Sequence, residues 1–140
     1  MSLTSLPRAL RETDGWILHR DKRPLSPSTL GPCDPTKREG ATAFETVLAV
    51  QQKHINLGPG FVLSDEDELV CVDIDKCYKD GVLDLEIQSL VDRTESYIEK
   101  SPSGNGLHIW VKGKKPGPLC RRGNIEMYDA QRYMTVTGER

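Results

Sequence analysis

Asp73 and Asp75 stand two residues apart at the end of an apolar run, Leu69-Val70-Cys71-Val72-Asp73-Ile74-Asp75. Side chains alternate across a strand, so an extended backbone sends Val70, Val72 and Ile74 to one face and Cys71, Asp73 and Asp75 to the other. Two carboxylates so placed repel each other unless a cation joins them. Hard divalent ions of the magnesium type take oxygen ligands, and paired carboxylates bind or bridge them while a substrate phosphate completes the shell. That is the chemistry of phosphoryl and nucleotidyl transfer. An isolated Asp-x-Asp is most often a solvated strand edge or turn. The nearly unbroken apolar run that leads into this one moves the balance towards function.

Two further segments repeat the pattern. From Gly106 to Val111, Leu107, Ile109 and Val111 fall on one side, with His108 and Trp110 opposite. From Asn124 to Tyr128, Ile125 and Met127 alternate with Glu126 and Tyr128. If helices cover the apolar faces, Asp73, Asp75, Glu126 and His108 collect in one patch. Ahead of His108 runs Ser101-Pro102-Ser103-Gly104-Asn105-Gly106. Two glycines and small hydroxyl residues let backbone amides approach an anion, which marks a phosphate cradle or, in the plainer reading, a tight turn. His108 at its end is placed to donate to a triphosphate or to the developing charge of a leaving pyrophosphate. Arg132 opens a last strand, where an arginine serves equally to meet phosphate or to keep an edge from aggregating.

These residues need strands and helices to hold them. Trp16-Ile17-Leu18-His19 reads as a short strand, followed from Asp21 to Gly40 by a long loop without periodicity, suited to a flap over a site. Thr42 to about Lys53 follows helical spacing through Phe44, Val47 and Leu48, with Thr42 and Glu45 spaced as a capping box. Gly58-Pro59-Gly60 breaks the chain, and Phe61-Val62-Leu63 and the aspartate run are expected to pair as a hairpin across the acidic turn Ser64 to Glu68. Asp84 to Glu95 is an amphipathic helix through Leu83, Ile87, Leu90 and Val91 that packs on one sheet face. Strands follow near Ser96 to Glu99, Gly106 to Lys112, Asn124 to Tyr128 and Arg132 to Thr137.

A chain of 140 residues forms one core of ordinary size, and 36% hydrophobic with 29% charged residues is a globular balance. The formal net charge of -2 excludes wholesale gripping of duplex DNA by basic excess. Any nucleic-acid contact is local, and Lys112, Lys114, Lys115, Arg121 and Arg122 gather in one Gly/Pro-rich stretch as a candidate phosphate-facing loop. Cys33, Cys71, Cys77 and Cys120 lack the Cys-x2-Cys spacing of a zinc site. Without a signal-peptide core or long apolar run, the expectation is a cytoplasmic protein with reduced cysteines and no membrane contact.

Val72-Asp73-Ile74-Asp75, then Glu99-Lys100-Ser101-Pro102-Ser103-Gly104-Asn105-Gly106-Leu107-His108-Ile109, then Ile125-Glu126-Met127-Tyr128 and Arg132-Tyr133-Met134-Thr135-Val136-Thr137-Gly138 resemble, in order, the motifs of the archaeo-eukaryotic primase superfamily. The match is to the primase-polymerase domains of phages and mobile elements, over about Gly58 to Gly138 with weaker similarity upstream. The resemblance implies an α+β fold: a core similar to the RNA-recognition motif, with an antiparallel or mixed sheet and helices on one face (about 58–140), joined to an N-terminal α/β module (about 1–57). The active site would lie between them. It implies Asp73, Asp75 and Glu126 as ligands of two Mg2+ or Mn2+ ions, catalysis by these acids with His108, and nucleotide binding by Ser101, Ser103, Gly104, Asn105, Gly106, His108 and Arg132. The activity implied is template-directed nucleotidyl transfer in DNA replication, by a DNA primase or DNA polymerase acting on nucleoside triphosphates with a single-stranded DNA template and primer. Related chains are longer and carry further helical segments or a helicase-like region, so this one is expected to be a monomeric fragment of a longer chain from a bacterium or an infected host cell.

Two rival classes share parts of this pattern. A rolling-circle replication endonuclease needs paired histidines and an attacking tyrosine. Here Leu107-His108-Ile109-Trp110 offers one histidine, with Tyr128 and Tyr133 as the tyrosines. A catalytically inactive nucleotide- or single-strand-binding module would use Trp110, Tyr128 and Tyr133 as stacking platforms. Three carboxylates facing a polyanion argue against it, because without metal they repel the ligand.

Overall fold

The computed structural model describes residues 3–115, 117 and 121–140, with the backbone alone for Thr4, Arg121 and Arg122. The elements run α1 (Arg8–Arg11), β1 (Trp16–Arg20), β2 (Arg23–Leu25), α2 (Phe44–Lys53), β3 (Gly58–Leu63), β4 (Leu69–Ile74), β5 (Tyr78–Lys79), β6 (Val82–Leu83), α3 (Leu85–Arg93), β7 (Tyr97–Lys100), β8 (Leu107–Lys112), β9 (Arg121–Arg122), β10 (Ile125–Tyr128) and β11 (Arg132–Thr135). They make an α+β fold of two main antiparallel sheets, ordered β11-β3-β1-β2 and β7-β8-β4-β10-β9, with a small β5-β6 ribbon. The first sheet draws strands from both ends of the sequence.

Two apolar layers follow from the alternation along the strands. Val70, Val72, Ile74, Leu107 and Ile109 turn to one side, where Ile87, Leu90 and Val91 of α3 pack on them. Asp84 caps α3 by accepting from the Glu86 and Ile87 amides, which satisfies donors the first helical turn leaves open. Leu69, Cys71, Tyr97 and Trp110 turn to the other side and pack between the sheets with Trp16, Leu18, Phe44, Val47, Phe61 and Leu63. Phe61 and Trp110 meet edge-to-face across this layer, with ring centroids 5.8 Å apart, a geometry the ring quadrupoles favour.

Four local expectations are corrected. The stretch after His19 is not loop throughout: Asp21 and Lys22, with φ of 50° and 66°, make a two-residue turn that pairs Arg20 with Arg23. β2 is a three-residue edge strand containing Pro24, too short and too irregular to show an alternating pattern. Thr42 does not cap α2. Its backbone exchanges hydrogen bonds with Trp16, its hydroxyl donates to the Ala43 carbonyl at 3.3 Å, and Ala43 takes the cap position without a side-chain bond. Gly58-Pro59-Gly60 lies within β3, because a Cβ at Gly60 would come within 2.8 Å of the Tyr133 ring and only a bare backbone fits beneath it. Finally, β3 and β4 do not pair as a hairpin. Ser64 accepts from the Glu66 amide, Glu68 takes the left-handed conformation (φ 53°), and the short turn between them carries the chain from one sheet into the other.

Candidate metal and nucleotide site

Strand register builds the site. Glu99 of β7 pairs with His108 of β8, His108 with Asp73 of β4, and Asp73 with Glu126 of β10. Two residues along, the row on the same face is Tyr97, Trp110, Cys71 and Tyr128. One face of the sheet thus changes from aromatic and apolar to ionisable within a single pleat, at the end of the layer between the sheets. Burial there pushes the Cys71 thiol well above its ordinary range, so it behaves as a small apolar core residue.

Asp75 follows β4 and is held by reciprocal bonds with Asn124, whose carbonyl accepts from the Asp75 amide (3.0 Å) and whose side-chain amide donates to the Asp75 carbonyl (2.8 Å). This links the aspartate segment to the strand of Glu126. One carboxylate oxygen from each of Asp73, Asp75 and Glu126 lies within 4.8 Å of the others. Burial, then the neighbouring charges of Asp75 and Glu126, raise the Asp73 carboxyl above its ordinary range, while His108 and Arg132 pull the other way. Asp73 Oδ1 is buried without a hydrogen-bond partner, and Nε2 of His108 stands 3.6 Å from it. Three carboxylates, one of which carries an orphaned buried oxygen, fit a divalent ion of the magnesium or manganese type.

Asp73 and Asp75 open onto a cavity of about 480 Å3 whose wall also includes Ser101, Ser103, His108 and Arg132, with Glu126 behind them and not on the wall. Lys22, Pro35 and Thr36 line it from the N-terminal side and Tyr133 from β11, which places part of the segment read as a flap on the wall of this cavity. Arg132 lies with its guanidinium carbon 4.0 Å above the Tyr128 ring, which holds a cation beside the acids. The Tyr133 hydroxyl donates to the Lys22 carbonyl. Of the three aromatics weighed as stacking platforms, Trp110 is 4% exposed in the core and Tyr128 lies under Arg132, leaving Tyr133 on the cavity wall.

The segment from Ser101 to Gly106 is ordered by its own bonds. The Gly104 amide donates to the Ser101 carbonyl (2.9 Å), the Asn105 amide to Ser103 Oγ (3.2 Å) and the Gly106 amide to Ser101 Oγ (3.1 Å). These three amides are engaged within the loop, and Ser101, Pro102 and Ser103 are the members that line the cavity. Gly106 is needed where it stands, since a Cβ there would lie 2.7 Å from the Ile74 carbonyl. The loop therefore rests directly on the end of the strand that carries the acids.

Lys112, Lys114 and Lys115 do not line this cavity, and the Arg121 and Arg122 side chains of the proposed phosphate-facing loop, with Cys120, lie outside the described residues. Cys33, Cys71 and Cys77 are free thiols. Among the described residues no helix is long and apolar enough to cross a membrane.

Sequence reasoning assigned no role to Glu99. It is fully buried, and its carboxylate accepts from the Thr137 amide (2.8 Å) and the Gly138 amide (3.3 Å) and faces His108 Nδ1 at 3.4 Å. The one available signal was a carboxylate sharing a face with Tyr97, which burial would oblige to find partners. Naming those partners requires the register of β7 on β8.

An antiparallel α+β domain brings Asp73, Asp75 and Glu126 together beside His108. No family model matches the chain. The DNA primase-polymerase of Nitratiruptor phage NrS-1 does, at 38% identity over 148 aligned residues that take in 94% of this chain. The chain spans about a fifth of that relative's length, 20%. The resemblance to phage primase-polymerase domains drawn from the motifs therefore holds along nearly the whole chain.

Proposed function

We propose that this chain is the nucleotidyl-transfer domain of a replicative primase-polymerase, joining nucleoside triphosphates to a strand templated by single-stranded DNA. The observation that carries the reading is the convergence of Asp73, Asp75 and Glu126 oxygens within 4.8 Å beside His108. Asp73, Asp75 and Glu126 would hold two Mg2+ or Mn2+ ions. The chemistry such ions supply is neutralisation of charge on the attacking and leaving oxygens of an in-line displacement.

The chain's own residues do the rest. Ser101 and Ser103 present hydroxyls to the triphosphate, and Gly104, Asn105 and Gly106 hold the loop that carries them. His108 aims Nε2 at the same space, while Arg132 supplies a fixed cation against the phosphates. Lys22, Thr36 and Tyr133 bound the space for base and sugar and limit water. The catalytic core of about 58–140 with its N-terminal module of about 1–57, and a helicase-like region elsewhere in the full-length chain, belong to the same proposal.

The endonuclease alternative lacks a second histidine beside His108 on β8, and the nearby Tyr128 is stacked under Arg132. An inactive binding module gives no reason for three acids with an unpartnered Asp73 oxygen. Primer extension by the full-length protein, compared with an Asp73→Ala/Asp75→Ala variant, tests the reading. Loss of extension by about 10³-fold or more is expected from removing several kcal/mol of transition-state stabilisation; equal activity in both proteins would sink it.

A further inference from the structure

We infer that Glu99 is a positioning residue for His108, its buried carboxylate fixing which ring nitrogen carries the hydrogen and which is presented to the nucleotide. The inference rests on the proposed function for its consequence but on the structure for its geometry. Glu99 is 0% exposed, and a carboxylate taken out of water is tolerated only when its oxygens are matched by donors. Three donors converge on it: the Thr137 amide on Oε2 at 2.8 Å, the Gly138 amide on Oε1 at 3.3 Å, and His108 Nδ1 facing Oε2 at 3.4 Å. The two backbone N–H groups already require an accepting oxygen on each side of the carboxylate. The hydrogen between Glu99 and His108 therefore belongs to Nδ1.

With Nδ1–H given to Glu99, Nε2 points the opposite way, towards Asp73 Oδ1 at 3.6 Å and the cavity that His108 lines. The ring is held between two carboxylates from the strands on either side of its own, and its side chain is 5% exposed, so it has no room to swing. Glu99 also ties this ring to the chain beyond β11. The Thr137 hydroxyl donates to the Lys100 carbonyl at 2.6 Å, the Lys100 amide donates to the Glu139 carbonyl at 2.6 Å, and the Val136 amide donates to the Pro59 carbonyl at 3.0 Å. The Val136–Glu139 segment is thereby stitched to β3 and to β7, the edge strand of the second sheet. The orientation of His108 depends on that segment being in place.

The experiment has two readouts on separate footings. Long-range 1H–15N correlation spectra of this three-histidine chain, recorded across a pH series, report which nitrogen of His108 carries hydrogen without any requirement for activity. The proposal expects the Nδ1–H form in the wild type and in Glu99→Asp, and a mixture or the Nε2–H form in Glu99→Gln. A wild-type His108 in the Nε2–H form overturns it, even if every variant fails to fold. In the full-length protein, Glu99→Gln should lower kcat/KM for the incoming nucleotide about tenfold or more, as loss of a group that orients a site histidine does. In a His108→Ala background the same change should cost less than about twofold, because its route has been removed. Equal losses in both backgrounds would show a purely structural role and overturn the proposal. If the wild type adds no nucleotide, the proposed function fails while the tautomer result stands by itself.

Discussion

Asp73 and His108 are register partners on adjacent antiparallel strands, one step along the face from the buried pair Cys71 and Trp110. The same pleat that drives Cys71 and Trp110 into the core sets the acid and the imidazole at its rim. Core packing and site geometry are one structure here, and changes to either can be told apart by what they disturb.

The Asp73 carboxyl is raised above its ordinary value by burial and by the charges of Asp75 and Glu126. A carboxyl whose folded value exceeds its unfolded one binds more protons when folded, so stability falls as pH rises through the window between the two values and stays lower above it. Metal-free protein is therefore expected to lose stability as pH rises from acid towards neutral because of this group. Asp73→Asn should flatten that part of the profile and raise the metal-free Tm at neutral pH, as thermal unfolding across a pH series would show. An unchanged profile would contradict the burial assigned to Asp73.

Divalent ions should reverse that cost. Mn2+ at about 100 times its dissociation constant stabilises a folded site by about 2.7 kcal/mol, which for a chain of this size is a Tm rise of roughly 5–10 °C. Glu126→Gln or Asp75→Asn should remove most of the rise, read by the same thermal scans with and without Mn2+.

Gly106→Ala should damage nucleotide binding more than folding. The added methyl would lie 2.7 Å from the Ile74 carbonyl, and the loop bearing Ser101 and Ser103 must lift from the acid strand to relieve it. A KM for the incoming nucleotide raised about tenfold is expected, given how steeply rate depends on near-ångström placement. A normal KM in steady-state kinetics would remove the loop from the site.

Trp110 separates core from stacking platform. Trp110→Ala should cost about 3–5 kcal/mol of stability, as large-to-small changes at buried aromatics do. Trp110→Phe should leave single-stranded DNA affinity unchanged within about twofold, since the ring is 4% exposed and stacking contributes only where a base can reach it. Chemical denaturation and fluorescence anisotropy measure the two effects.

What could be read from the sequence was what local alternation decides. The parity of Val70 to Asp75, Leu107 to Val111 and Ile125 to Tyr128 placed Asp73, His108 and Glu126 on their true face, and α3 lies where the spacing of Ile87, Leu90 and Val91 puts it. What depends on pairing between distant segments was not visible. Phe61 to Leu63 and Leu69 to Asp75 read as two strands of one hairpin, yet the turn at Ser64–Glu68 assigns them to different sheets. Gly58 and Gly60 signalled a break because their reason for being glycine, the His19 and Tyr133 rings packed over them, comes from other strands. Glu99 is the same case within the site: its partners lie 9 residues away at His108 and 38 away at Thr137.

In the function proposed for this chain, Asp73, Asp75 and Glu126 jointly hold the divalent ions that serve a nucleoside triphosphate. A crystal structure with Mn2+ and a non-hydrolysable nucleoside triphosphate, read by the anomalous signal of manganese, tests it most directly. Manganese should lie within about 2.0–2.4 Å of oxygens from all three acids, with the triphosphate against Ser103, His108 and Arg132. Manganese bound by phosphate alone, or at a site that leaves Asp73 and Glu126 without an ion, would contradict it.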